Sequence, residues 1–282
     1  MHLKSIGFNE YHLKDARDTI HFVSKISGRP VIFLLHGFGV DGINQYYRTA
    51  VLLSRDFDVV VPDLFFFGYS STSDTSYSLD MQVRMIEKIV HSLKIDSHLI
   101  FVGNSYGGMV STLYSRQNKE KVDMLFIYDS PLMFYTIAQA DSISKAFGIE
   151  GVDKLLCPVT PEELRKSLSF VFYRPPYVPK FILTQMINFP NLNPREKQLK
   201  LLFNMDNEAK RYNHFEKEQL PDIRILWGAN DVFIPPSVAY ALKEYWHLPD
   251  EHLYLFPKSS HVANFEHPRK FSKVVKSMIL LR

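Results

Sequence analysis

One short segment constrains this chain more than any other: the apolar run His98–Val102 leads directly into Gly103-Asn-Ser-Tyr-Gly-Gly108. The run predicts a buried strand, and the glycines around Ser105 predict a sharp turn into a helix. In such a turn the serine adopts a strained backbone conformation, while Gly103 and Gly107 prevent side-chain collisions around it. The segment therefore predicts that Ser105 is a nucleophile that stands clear of the end of a strand.

The same alternation of strand and helix signals extends along most of the 282 residues. Continuous apolar runs indicate strands that are covered on both faces, and segments with helical spacing follow them. The predicted strands are 19–23 in an edge hairpin, 31–35, 57–61, 99–102, 122–128, 223–227 and 252–256. The predicted helices are 42–54, 78–93, 109–115, 236–246 and 267–281. This order predicts an α/β fold with a mostly parallel sheet and helices on both faces.

The alternation stops between residues 132 and 220, where helix-like pieces are separated by prolines and no clear strand occurs. Within it, Thr160-Pro-Glu-Glu163 predicts a helix start with a capping box. We expect residues 1–131 and 221–282 to form the core and 132–220 to form an inserted helical cap. Its most apolar stretch, Arg174–Phe189, is expected to pack on the core, to line an acyl pocket or to contact a lipid surface.

Two further polar residues follow predicted strands, at the edge of the sheet where ligands collect. Asp231 follows 223–227, and His261 follows 252–256. Taken singly, Asp231 is typical of a turn or helix cap, and His261 of a surface or core histidine. Together with Ser105, in the order Ser, Asp, His, they favour nucleophilic catalysis. His261 is then the base, and Asp231 fixes its tautomer and stabilises the imidazolium.

Acyl transfer also needs hydrogen-bond donors for the developing oxyanion. We expect one from the backbone N–H of Tyr106, directly after the nucleophile, and one from Phe38 in His36-Gly-Phe-Gly39. The side chains of Phe38 and Tyr106 are expected to line an apolar substrate pocket. His36 is expected to be structural and to bind loop backbone.

These segments together resemble the α/β-hydrolase superfamily, and the resemblance covers most of the chain outside the expected cap. Val61-Pro-Asp-Leu64 and Ser260–Pro268 add to it. The resemblance implies a serine hydrolase with the Ser-Asp-His triad given above and without a cofactor. It also implies that Asp63 is a structural loop acid, and that Asp129 occupies the family's alternative position for the catalytic acid.

The resemblance leaves the reaction open between related chemistries. Serine at position 105 disfavours haloalkane dehalogenase and epoxide hydrolase relatives, which carry aspartate there. Gly103–Gly108 resembles the carbon–carbon bond hydrolases of aromatic ring degradation, but those enzymes carry Trp after the catalytic His and this chain has Val262. Asp63–Gly68 is similar to esterase- and lipase-like members. The leading expectation is therefore hydrolysis of a carboxylic ester with an apolar acyl or alcohol part. The alternatives are carbon–carbon hydrolysis of a diketone-like substrate and a ligand receptor with little turnover.

Composition narrows the classes of partner. A net charge of +3 without a dense Lys/Arg block argues against nucleic acid. The sequence has no His-Glu-x-x-His, paired cysteine, phosphate loop or dinucleotide fingerprint, so we expect no metal or cofactor. The single cysteine, Cys157, favours a reducing compartment. Because the beginning of the sequence lacks a signal-peptide core and no apolar run reaches about 18 residues, we expect a cytoplasmic protein without a transmembrane segment. No feature of the sequence indicates an oligomeric state.

Overall fold

The computed structural model describes residues 2–188, 194–211 and 214–281. Within them, nine strands form one sheet: β1 (Asn9–Lys14), β2 (Asp18–Lys25), β3 (Val31–Leu35), β4 (Asp58–Pro62), β5 (Ser71–Thr72), β6 (Leu99–Asn104), β7 (Val122–Tyr128), β8 (Asp222–Gly228) and β9 (Leu253–Phe256). Their spatial order is β1-β2-β4-β3-β6-β7-β8-β9, with β5 paired to β2. All neighbours from β4 to β9 pair in parallel, while β2 pairs antiparallel with β1, β4 and β5. The predicted α/β fold with a mostly parallel sheet is confirmed.

The helices of the described residues connect these strands and cover the sheet. They are α1 (His2–Ser5), α2 (Gly42–Leu53), α3 (Leu79–Ser92), α4 (Tyr106–Gln117), α5 (Ile137–Ala146), α6 (Val152–Leu156), α7 (Pro161–Val171), α8 (Lys180–Asn188), α9 (Arg195–Arg211), α10 (Pro236–Tyr245), α11 (Ala263–Glu266) and α12 (Pro268–Leu280). Short 3-10 helices occupy Lys119–Lys121, Leu132–Phe134, Lys217–Gln219 and Asp250–His252. No helix of the described residues is both long and apolar enough to cross a membrane.

Two hydrophobic cores lie on opposite faces of the sheet, because successive strand residues point to opposite sides. Ile32 and Leu34 of β3 pack with α2 and α12, whereas Phe33 and Leu35 pack with α3, α4 and α10. The strands β3, β4 and β6 are buried along their whole length, as their continuous apolar runs predicted. The sheet is therefore covered on both faces, and its polar residues collect at the strand ends.

The structure departs from the predicted elements in local ways. The helix predicted over 109–115 begins at Tyr106, because the turn at Ser105 leads directly into the first helical turn. The hairpin partner β1 and the two-residue strand β5 were not specified by the sequence patterns. Helices α5 to α9 occupy the described part of residues 132–220, which contains no strand, and Thr160 and Glu163 form the predicted capping box. Phe189, the last residue of the apolar stretch noted above, lies outside the described residues.

Asp63 connects the loop after β4 to two other elements. Its buried carboxylate accepts hydrogen bonds from the backbone N–H of Gly42 (3.0 Å) and Tyr69 (2.9 Å) and from Nδ1 of His21 (2.7 Å). Burial alone acts to raise the pKa of Asp63, but the His21 contact and the Tyr69 N–H outweigh it, and the pKa lies below its usual value. The expected structural role of Asp63 is confirmed.

Candidate active site

The turn at Ser105 has the strained backbone that its sequence predicted. Ser105 has a φ of 50° and a ψ of −116°, a conformation that non-glycine residues rarely adopt. Its N–H donates to the carbonyl oxygen of Tyr128 (2.9 Å), and its carbonyl oxygen accepts a hydrogen bond from Oγ of Ser130 (2.7 Å). These contacts with β7 and the loop after it hold the strained residue between two strand ends.

The glycines around Ser105 are required by close approach of other atoms. A Cβ on Gly103 would lie 2.3 Å from Oγ of Ser111, and one on Gly107 would lie 2.4 Å from the carbonyl oxygen of Leu35. Real Cβ contacts are essentially never that short. The prediction that both glycines prevent collisions is confirmed, and the turn therefore lies directly against the end of β3.

Asp231 and His261, which are distant in sequence, are hydrogen-bonded to each other. Nδ1 of His261 lies 2.7 Å from Oδ2 of Asp231, and both side chains are buried. The other carboxylate oxygen, Oδ1, accepts hydrogen bonds from the backbone N–H groups of Phe233 (2.8 Å) and Ile234 (3.0 Å). Because Nδ1 donates to a carboxylate, Nε2 is the ring nitrogen that is able to accept a proton. Asp231 therefore both stabilises the turn after β8, through Oδ1, and contacts His261, through Oδ2.

Sequence reasoning missed Asn104 as a residue that holds this arrangement together. Its side-chain amide donates to the carbonyl oxygens of His261 (3.3 Å) and Tyr128 (3.4 Å), and its Oδ1 accepts a hydrogen bond from Gln45 (2.8 Å). Asn104 therefore ties the loop that carries His261 to the residue next to Ser105. The one sequence feature that could have indicated this role is a polar amide side chain at the end of an otherwise apolar strand. The ring of Phe233, also missed, meets the His261 ring edge-on at 5.3 Å.

The two expected oxyanion donors are available. Neither the N–H of Phe38 nor that of Tyr106 donates a hydrogen bond to another group in the part of the chain that the structure describes. Backbone N–H groups in protein interiors are nearly always paired, so two unpaired donors on residues that line the same cavity as Ser105 indicate a place for an external acceptor.

His36 has the structural role expected for it. Its Nδ1 donates to the carbonyl oxygen of Gly37 (2.7 Å), while its Nε2 accepts from the N–H of Leu64 (2.8 Å). Burial lowers the pKa of His36, which keeps the ring neutral and able to make both hydrogen bonds. His36 therefore joins the loop after β3 to the loop after β4.

A narrow cavity of about 30 Å³ lies over Ser105. Its wall is mostly apolar and includes the side chains of Phe38 and Tyr106, as expected. More than half of the lining residues come from 132–220, among them Leu132, Tyr135 and Met205, and Asp206 adds a carboxylate. In this conformation the cavity has room for water. Side chains of the segment 132–220 therefore restrict access to Ser105.

Glu266 joins the His261 loop to the segment 132–220. Its Oε2 accepts hydrogen bonds from Oγ of Ser259 (2.7 Å) and from the N–H of Ser260 (2.9 Å). Its Oε1 accepts from the N–H groups of Tyr173 (2.7 Å) and Arg174 (3.4 Å). The two oxygens thus serve different parts of the chain.

Asp129 lies beside the Asp231–His261 pair but does not share its hydrogen bond. Ligand atoms of the three side chains lie within 4.8 Å of one another. Oδ1 of Asp129 accepts from the N–H of Gly228 (2.8 Å), and its buried Oδ2 has no hydrogen-bond partner among the described residues. Burial, followed by the nearby charge of Asp231, raises the pKa of Asp129 well above its usual value. Burial and the neighbouring carboxylate therefore favour the protonated form of Asp129.

Comparison with known proteins finds similar sequences and structures. The sequence model described as "alpha/beta hydrolase fold" matches residues 30–149. Lipase 3 of Moraxella sp. (strain TA144) is 27% identical over 244 residues, which cover 86% of this chain and 74% of that protein. A 2-hydroxy-6-oxononadienedioate/2-hydroxy-6-oxononatrienedioate hydrolase of Paraburkholderia phymatum is 25% identical over 267 residues, covering 91% of this chain and 89% of that protein.

Among solved structures, a putative lipase (lip1) from Acinetobacter baumannii AYE superposes with a TM-score of 0.82 and 22% identity. The match covers 99% of this chain and 93% of the other chain. At this identity the likeness concerns the fold.

The raised pKa of Asp129 predicts a pH dependence of stability. The folded-state pKa is raised above the unfolded value of about 3.9, so the folded protein keeps a proton that the unfolded chain loses. The stability from Asp129 is therefore fully present below pH 4 and is lost as pH rises towards the folded-state pKa. The slope from this one proton is at most about 1.4 kcal/mol per pH unit.

We expect Asp129→Asn to remove this slope, because the amide does not titrate in this range and keeps the same shape. The free energy of unfolding is measured by urea denaturation at pH 5 and pH 7. The stability of the variant relative to wild type should be higher at pH 7 than at pH 5. Asp96→Asn, at an exposed position, is the control and leaves the pH dependence unchanged. An equal stability difference at both pH values would contradict the assignment.

Proposed function

We propose that the chain, which belongs to the α/β-hydrolase superfamily, hydrolyses a carboxylic ester with an apolar acyl or alcohol part through an acyl-enzyme formed on Ser105. Membership of this family and likeness to lipases and other hydrolases make the chain a hydrolase. The proposal goes further and names the bond and the residues. The observation that carries it is the 2.7 Å hydrogen bond between Asp231 and His261, on loops that follow strands ending at the same edge as the Ser105 turn.

The proposed reaction has two halves, formation and hydrolysis of the acyl-enzyme, and Ser105, His261 and Asp231 take part in both. Nε2 of His261 takes the proton of the Ser105 hydroxyl as Oγ attacks the ester carbonyl carbon, and a tetrahedral intermediate forms. The intermediate collapses as the carbon–oxygen bond to the alcohol breaks, and His261 gives its proton to the leaving oxygen. Water then attacks the acyl carbon while His261 takes a proton from it, and a second tetrahedral intermediate forms. Its bond to Oγ of Ser105 breaks, the carboxylic acid leaves, and His261 returns the proton to Oγ. Asp231 stabilises the imidazolium in both halves.

The N–H groups of Phe38 and Tyr106 would bind the oxyanion of both intermediates. Removing one such donor typically costs roughly 3 kcal/mol of transition-state stabilisation. Support comes from the lack of a partner for either N–H in the described part of the chain. Because Gly37 and Gly107 keep the two loops close, the donors would need little reorganisation when charge develops.

The chemistry of the cavity favours an uncharged ester over carbon–carbon cleavage. The substrates named for the carbon–carbon bond relatives are carboxylic acids, and an anion buried in an apolar site needs a cation or several donors. The cavity wall formed by described residues includes the carboxylate of Asp206 and no Lys or Arg. Val262 occupies the position where these enzymes carry Trp, and this difference also disfavours carbon–carbon cleavage.

We propose that residues 132–220 act as a cap over this cavity and the rest of the chain as the core. The cap presents exposed aromatic side chains, among them Tyr177, which is 86% exposed, and Phe181, which is 63% exposed. Transient contact of these side chains with a lipid surface belongs to the proposal, because exposed aromatic side chains are able to enter the interfacial region of a lipid layer. Sedimentation with lipid vesicles tests it, and loss of bound protein in Tyr177→Ser is the expected result.

We also propose a reducing, cytoplasmic location and no nucleic-acid partner. Cys157, the single cysteine, is buried, and burial raises the pKa of its thiol to about 12, so the thiol is poorly reactive. Fractionation of cells that express the chain tests this location.

Ser105→Ala tests the nucleophile directly. We expect a fluorophosphonate probe to label the wild type and not the variant, and kcat for p-nitrophenyl butyrate to fall about 10⁶-fold. Ser111→Ala, on the same helix, is the matched control and keeps the label. Absence of labelling in folded wild type would refute the enzyme proposal. Labelling without turnover on any ester would favour carbon–carbon hydrolysis or a ligand receptor.

Two carboxylate variants separate the catalytic acid from its neighbour. Asp231→Asn should lower kcat about 10⁴-fold, because the His261 tautomer is no longer fixed. Asp129→Asn should change kcat less than about tenfold, because Asp129 makes no hydrogen bond to His261. Steady-state kinetics on one ester measures both, and circular dichroism confirms folding. The reverse ranking would assign the catalytic acid to Asp129.

The apolar cavity wall predicts the acyl preference. We expect kcat/KM for p-nitrophenyl esters to rise from acetate to a longer chain, because each buried CH₂ contributes about 0.8 kcal/mol or less to binding. A steady fall from acetate to octanoate would argue against an apolar acyl group as the substrate feature recognised here.

A further inference from the structure

Away from the proposed active site, three side chains with metal-binding chemistry converge on the β1–β2 hairpin. His12 and His21 face each other in the antiparallel register, and Glu10 lies two residues before His12 on the same face of β1. His21 is buried, whereas Glu10 and His12 are exposed to solvent. An ion would therefore have direct access to two of the three side chains.

Two of the distances between their ligand atoms lie close to those of a tetrahedral metal site. Oε1 of Glu10 lies 3.2 Å from Nε2 of His21 and 3.7 Å from Nε2 of His12, and ligand atoms of all three residues lie within 4.8 Å of one another. Metal–ligand bonds of 2.0–2.1 Å in a tetrahedron separate neighbouring ligand atoms by about 3.3 Å. Small side-chain rotations of the exposed residues are enough to reach this geometry.

The orientation of His21 is fixed by a buried carboxylate. Nδ1 of His21 lies 2.7 Å from Oδ2 of Asp63, and that carboxylate is held by the N–H groups of Gly42 and Tyr69. Nδ1 is therefore the donor, and Nε2 points towards Glu10. A histidine that gives its second nitrogen to a carboxylate is the usual arrangement around protein-bound zinc.

The surroundings favour a cation and leave room for water. A cavity of about 250 Å³ adjoins the cluster and is lined by Glu10, His21, Asp41, Asp63 and Tyr69, with Lys4 at its rim. Three carboxylates thus face one ammonium group, and Nζ of Lys4 is 4.0 Å from Glu10. The excess of carboxylate side chains favours a cation, and the exposure of Glu10 and His12 gives water access to the cluster.

We propose that Glu10, His12 and His21 bind Zn²⁺, with water as the fourth ligand. The ion would join the edge hairpin to the loop after β4 through the His21–Asp63 contact, and so stabilise the fold without entering the reaction at Ser105. Sequence motifs for zinc do not reveal such a site, because its ligands come from two antiparallel strands.

Calorimetric titration of EDTA-treated full-length protein with ZnCl₂ tests the proposal. We expect one Zn²⁺ per chain and a Tm higher by about 5 °C at a Zn²⁺ concentration of 100 times Kd. His12→Gln and Glu10→Gln should each weaken binding at least tenfold. Both positions are exposed, so these variants keep the fold, whereas His21 is buried and bonded to Asp63.

His98→Gln is the matched control, since His98 is an exposed histidine 3.1 Å from a carboxylate, that of Asp123, elsewhere on the surface. It should bind Zn²⁺ as the wild type does. Failure of the wild type to bind Zn²⁺, or equal binding by His12→Gln and Glu10→Gln, would overturn the proposal.

Discussion

The close approach of the Ser105 turn to the end of β3 is the contact on which the rest of the site depends. At Gly107 a Cβ would lie 2.4 Å from the Leu35 carbonyl, and at Gly37 it would lie 2.8 Å from Oδ1 of Asn104. Without side chains at these positions, the nucleophile turn and the loop that carries Phe38 reach van der Waals contact. A larger residue at either glycine would push the Ser105 turn away from the loop that carries Phe38.

Burial and hydrogen-bond supply distinguish two neighbouring carboxyl groups. Asp231 accepts hydrogen bonds from three N–H donors, whereas Asp129 accepts one, and burial raises the pKa of Asp129. Two adjacent buried anions would repel each other strongly, so protonation of one of them relieves the other. The pair illustrates how hydrogen-bond supply, rather than residue type, assigns the roles of neighbouring acids.

Much of this fold could be predicted from the sequence, because strands of a parallel sheet that are buried on both faces consist of continuous apolar runs. The strands 31–35 and 122–128 were predicted with the bounds that the structure has. The polar edge strand β1 gives no such signal, since its pairing with β2 replaces apolar burial. Ser105, Asp231 and His261 were expected because each follows a strand, and the structure places Asp231 and His261 in contact.

The supporting roles of Asn104 and Glu266 could not be predicted from the sequence, for a different reason. Asn104 meets a carbonyl that lies 157 residues later, and Glu266 meets a backbone that lies 93 residues earlier. Neither partner has a local pattern, so only the folded chain reveals them. The reaction's substrate is similarly unspecified by local patterns, because the cavity wall is assembled from segments far apart in the sequence.

The split carboxylate of Glu266 has a mechanical consequence. One oxygen holds the loop that precedes His261, and the other holds the backbone at Tyr173. Because each oxygen makes its own hydrogen bonds, loss of the contact with the Tyr173 N–H leaves the contact with the Ser260 N–H in place. Movement of the segment around Tyr173 therefore does not by itself displace the loop that carries His261.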